Sequence, residues 1–94
     1  MDKNEIKEAF SKILIIKAKL TDKSKKAQEL FNLDDSIVSN FQLKCFDHLD
    51  RIDLSESKEK VNKQMQFTKQ NINIFIDDFM DHCMDKKKMW DDIL

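Results

Sequence analysis

Residues 61–79 read VNKQMQFTKQNINIFIDDF, with an apolar side chain at every third or fourth position and neither glycine nor proline. Turned at ~100° per residue, Val61, Met65, Thr68, Ile72, Phe75, Ile76 and Phe79 gather on one face, the pattern of a helix buried along one side. The stripe continues through Cys83, Trp90 and Ile93, and nothing after Ser57 has the chemistry of a helix stop. Without interruption such a helix would be about 55 Å long at ~1.5 Å per residue. Asn71 and Asn73, weak helix formers, mark where a bend is expected.

The rest of the chain fits the same frame. All 94 residues contain no Gly and no Pro, the residues that supply most tight turns, strand bulges and phosphate-cradling loops. Glycine-rich nucleotide loops are thereby excluded, and a hairpin-rich β fold is disfavoured. An apolar fraction of 40% suffices for one modest core, which makes residues 1–94 a single domain. The expected fold is all-α, a small bundle of three to four helices with a long C-terminal helix.

Upstream, Ile6, Ala9, Phe10, Ile13, Ile16 and Leu20 place a first helix over about Asp2 to Leu20, with Asp2 or Asn4 as its cap. Leu14 and Ile15 fall off that face. Thr21-Asp22 reads as a second cap opening a short helix with Ala27, Leu30 and Phe31. The run NLDDS at 32–36 combines a residue tolerant of the left-handed conformation with three capping side chains. A further helix then carries Ile37, Val38, Phe41, Cys45, His48, Leu49 and Ile52, and Asp53 to Glu56 reads as a break with a capping box.

The run FIDDFMDHCMD, residues 75–85, holds the reactive groups most densely. On a helix its Asp77, Asp78, Asp81 and Asp85 share one solvated arc while Cys83 turns inward. Cys45, His48, His82 and Cys83 could in principle form a two-Cys, two-His metal site. His82 and Cys83 lie ~100° apart on one helix, however, and do not converge on one ion. Carboxylates beside Cys83 oppose a reactive thiolate, and no other pair is placed for acid–base work. The expectation is a protein that is not an enzyme and carries no metal or cofactor, with a metal-binding bundle as the alternative.

Lys12, Lys17, Lys19, Lys23, Lys25 and Lys26 stand against Asp22 alone, a local charge of +5 over residues 12–26. The Lys17, Lys19, Lys23, Lys25 and Lys26 patch offers nucleic-acid contact as a second alternative. Against it, the lysines run round the helix, the net charge of the chain is -1, and the usual base reader occurs only as Arg51. No apolar run approaches the ~18 residues that span a bilayer, and the start of the chain lacks signal-peptide order. A cytoplasmic protein without membrane insertion is expected.

What remains is surplus hydrophobicity. Phe67 and Ile74 leave the main stripe of the last helix, Met80 and Met84 form a second row, and Trp90 follows. Aromatic and methionine surfaces adapt to partners without rigid matching. Charge alternates by segment, +3 over 1–30, -4 over 31–57, +3 over 58–70 and -3 over 71–94, which favours pairing of segments or of chains. The expected function is therefore binding of another protein, as an adaptor, inhibitor or chaperone, with self-association. Phe67, Ile74, Met80, Met84 and Trp90 are the expected contact residues.

Overall fold

The computed structural model describes residues 1–81. Among the described residues there are three α-helices and no strand: α1 Lys3–Phe31, α2 Asp35–Asp50 and α3 Lys58–Met80. The chain is an all-α bundle. At ~1.5 Å per residue α1 is about 44 Å long, the full length of a molecule measuring 44 × 21 × 18 Å.

Each helix begins and ends where local chemistry allows. Asp2 and Glu5 form a reciprocal capping box: the Glu5 N–H donates to Asp2 Oδ1 at 2.9 Å and the Asp2 N–H to Glu5 Oε1 at 3.3 Å. Asn32 closes α1 in the left-handed region, φ 52° and ψ 51°, and its N–H and that of Leu33 both donate to Gln28 O. Asparagine takes that conformation more readily than other residues bearing a Cβ. Asp34 opens α2 without a side-chain cap bond. Between α2 and α3, Asp53 Oδ1 accepts from the Ser55 N–H and hydroxyl, and Ser57 Oγ accepts from Lys60 N–H to start α3. The cap expected within Asp53–Glu56 thus falls one residue later, on Ser57.

The break expected at Thr21–Asp22 does not occur. Capping side chains only end a helix when burial does not favour continuing it, and here it does. Leu20, Ser24 and Ala27 are all buried against the bundle, and Asp22 pairs with Lys26 one turn on, at 3.2 Å. Ser24 is a small polar residue inside an apolar stripe, and its hydroxyl is satisfied both as donor and as acceptor. It donates to Thr21 O at 3.0 Å and accepts from Gln42 Nε2 at 2.8 Å. Likewise α3 runs through Asn71–Asn73 as one helix.

Bonds between the helices set their order. Ser24–Gln42 and Lys17–Asp50 make α2 antiparallel to α1. Phe41–Phe79, His48–Phe75 and the Asp53 N–H to Gln64 bond make α3 antiparallel to α2. The middle helix α2 packs on both neighbours. The core is built from Ile13, Ile16, Leu20 and Ala27 of α1, Val38, Phe41, Cys45 and Leu49 of α2, and Val61, Ile72, Ile76 and Phe79 of α3. Phe41 stacks on Phe79 at 4.5 Å between ring centroids, a pairing worth about 0.5–1.5 kcal/mol beyond its buried area.

Candidate interaction surface

With Val61, Thr68, Ile72, Ile76 and Phe79 turned into the bundle, the opposite side of α3 must face out. Phe67 and Ile74 stand there, 65% and 56% exposed and two turns apart. At ~100° per residue, Asp78 and Asp81 fall in the same 60° or so of arc, with Asp77 on its flank; all three are exposed. The outer side of α3 therefore presents two large apolar groups running into an acidic end.

Met80, expected beside them, is buried at 8% and belongs to the core. The buried arc of α3, from Thr68 round to Met80, is about 120° wide by helical geometry. That exceeds the stripe read from sequence, because α3 is flanked by more than one element. Met84 and Trp90 lie outside the described residues.

A second apolar row lies on α1. Ile6, Phe10 and Leu14 follow one another at four-residue spacing and are all exposed, although Ile6 and Phe10 were expected on the buried face. Ile15 is exposed on the other side of α1, where it overlooks α3.

Between α1 and α3 runs an open groove. Ile15, Ile16 and Met65 make its apolar lining, and Lys12, Lys19 and Lys69 stand around them, enclosing about 190 Å³. The groove continues past Lys12, Met65 and Lys69 to the end of the bundle at Met1, where Glu5 and Glu8 join the lining. There Lys58 pairs with Glu5 at 3.4 Å. The basic character is thus confined to the middle of the bundle.

That arrangement divides the lysine patch. Lys12, Lys19, Lys23 and Lys26 share the side of α1 turned toward the groove, within about 60° of arc. Lys17 faces α2 instead, where it pairs with Asp50 and sits 5.8 Å over the Phe46 ring. Lys25 points away from both, and Lys26 is engaged by Asp22. The patch is not one surface.

Cys45 is wholly buried on α2, and burial pushes its thiol up to about 12, with Lys44 pulling weakly the other way. Such a thiol is a small apolar group rather than a nucleophile or a ready ligand. His48, half-buried, lies 5.0 Å from the Phe75 ring. Their expected partners His82 and Cys83 lie outside the described residues, among which no group of three or more His, Cys, Asp or Glu side chains could hold a metal ion. No described helix is long and apolar enough to cross a membrane.

No protein-family model, curated protein or solved structure matches the chain.

Two features escape the sequence. The Ser24–Gln42 bond joins residues that each read as ordinary surface polars, and only the small size of Ser24 within a stripe of larger groups hints at a close approach. The groove is formed by residues about fifty apart in the chain. Its one sequence signal is Ile15, apolar and off the stripe of α1, with Lys12 and Lys19 about one turn to either side.

Proposed function

We propose that the chain is a protein-binding module that acts through exposed apolar helix faces flanked by charge. One observation carries this reading: the three helices bury a common core, and large apolar side chains of all three, Leu30 of α1, Leu43 of α2 and Phe67 and Ile74 of α3 among them, are still exposed. Scattered exposed apolar residues are ordinary in a monomer, but spaced rows on single helix faces are the form taken by helix-pairing interfaces. Phe67 and Ile74 supply anchors on a rigid helix, and the neighbouring carboxylates supply register and rejection of acidic surfaces. An adaptor, inhibitor or chaperone role follows from such a surface, with no chemistry required of the chain. A reducing, cytoplasmic setting goes with this reading, since Cys45 is a free thiol held in the core.

The test is chemical cross-linking in an extract of the source cells, followed by mass spectrometry, with the wild-type chain beside Phe67→Asp and Ile74→Asp. Both changes are at exposed positions and leave the helices intact, so partners should be lost while helicity is kept. Equal capture by the wild type and both variants would sink the reading.

A further inference from the structure

Among the described residues, two exposed surfaces of the bundle are opposite in charge. The groove between α1 and α3 offers Ile15, Ile16 and Met65 among Lys12, Lys19 and Lys69. The outer side of α3 offers Phe67 and Ile74 followed by Asp78 and Asp81. Lys12 and Lys19 are seven residues apart on α1, and so are Phe67 and Ile74, and Ile74 and Asp81, on α3. Each interval is two helical turns, about 10.5 Å along the axis. A helix presenting the α3 outer face could set Ile74 on the apolar lining while Asp78 and Asp81, four and seven residues further on, come within reach of Lys12 or Lys69. Within one molecule the two surfaces cannot meet, because Met65 and Lys69 lie on roughly the opposite side of α3 from Phe67 and Ile74.

We propose that the occupant of the groove is a second copy of this chain: the outer face of α3 of one molecule docks between α1 and α3 of the next, head to tail. This rests on the protein-binding reading and names its partner. The two patches point apart, so the contact does not close on itself as a two-fold dimer would, and association extends with concentration. Its area is that of one helix face, at the low end of specific interfaces, so the contact is weak and reversible. Salt weakens it, since the charges meet at a solvated rim.

Sedimentation velocity of the full chain tests this, over concentrations from about ten to several hundred micromolar, where a contact of this size populates. A groove variant, Lys12→Glu with Lys69→Glu, and a face variant, Phe67→Lys with Ile74→Lys, are run alone and mixed. The wild type should associate progressively, and less at high salt. Each variant alone should weaken association at least about tenfold. Mixed in equal amounts, the two should form one-to-one dimers that grow no further, because the groove variant keeps its face and the face variant keeps its groove. Should a double variant lose helicity, the single changes Lys69→Glu and Ile74→Lys take its place.

A wild type that stays monomeric throughout overturns the proposal, as does a mixture that fails to pair. A monomer whose groove variant melts at lower temperature would show the groove to be covered by the chain's own residues, and self-docking falls. Association that survives both variants uses other faces and likewise overturns it. These outcomes leave the protein-binding reading standing, because the cross-linking of Phe67→Asp and Ile74→Asp decides that separately.

Discussion

Ile72 and Phe67 sit five residues apart on α3, and replacing each by alanine should give very different losses of stability. Ile72 is completely buried, so Ile72→Ala loses the full transfer free energy and leaves a cavity, a cost of about 2–5 kcal/mol. Against a total of about 5–15 kcal/mol for a domain of this kind, that is a large share. Phe67 is 65% exposed and has only about a third of its surface covered. Scaling the ~1.5–3 kcal/mol for full burial of such a side chain leaves roughly 0.5–1 kcal/mol for Phe67→Ala. For a domain near this size each kcal/mol moves Tm by about 4–8 °C, which separates a fall of about 8–40 °C from one of about 2–8 °C. Urea unfolding followed by far-ultraviolet circular dichroism measures both, with equal slopes and different midpoints. A Phe67→Ala loss as large as that of Ile72→Ala would make Phe67 a core residue and remove the central anchor of the proposed surface.

Gln42→Leu leaves the buried Ser24 hydroxyl with Thr21 O alone, and should cost about 1–2 kcal/mol in the same melts; adding Ser24→Ala should recover part of that loss. Asn32→Val forces a β-branched residue into the left-handed cap and should destabilise by about 1–2 kcal/mol, whereas Asn32→Gly should be neutral or better. In a Cys83→Ser background, Cys45 should resist iodoacetamide at pH 8 and react at full rate only in denaturant. The stability its buried thiol contributes is complete below the ordinary value of 9.0 and is lost as pH rises toward about 12, measurable as a falling urea midpoint. Asp2, held low chiefly by the Glu5 N–H, and Asp53, held low by the Ser55 hydroxyl and N–H, act in the opposite sense. Their contribution is present above the ordinary carboxylate value of about 3.9 and lost as pH falls below it. Asp53→Ala should therefore flatten the acid limb of the stability curve.

The helical class of the fold was legible because two independent signals agree, the absence of glycine and proline and the stripe from Val61 to Phe79. The cap at Asp2 and the stop at Asn32 were legible because capping is chemistry between near neighbours. Thr21–Asp22 misled for the same reason. Its side chains can cap a helix, and only the burial of Ser24 and Ala27 against α2, a contact between distant residues, decides that they do not. The surface divides in the same way. Phe67 and Ile74 stand out of their stripe by angle alone, and the fold leaves them exposed. Met80 also leaves the stripe, but by only about 40° past Ile76, and the arc that α3 buries is wide enough to take it in. The groove had no local signature because half of it comes from each of two helices that never adjoin in sequence.

The central place of α2 has a consequence for how the molecule is made. Its partners α1 and α3 are its immediate neighbours along the chain, joined to it by short connections, so nearly all pairing is between consecutive elements. Low contact order of this kind permits fast folding, and either hairpin, α1 with α2 or α2 with α3, could form first. Both routes need α2. A destabilising change at Leu49 or Phe41 should therefore slow folding along every path, while one at Leu20 or Ile76 closes only the route that begins with its own helix.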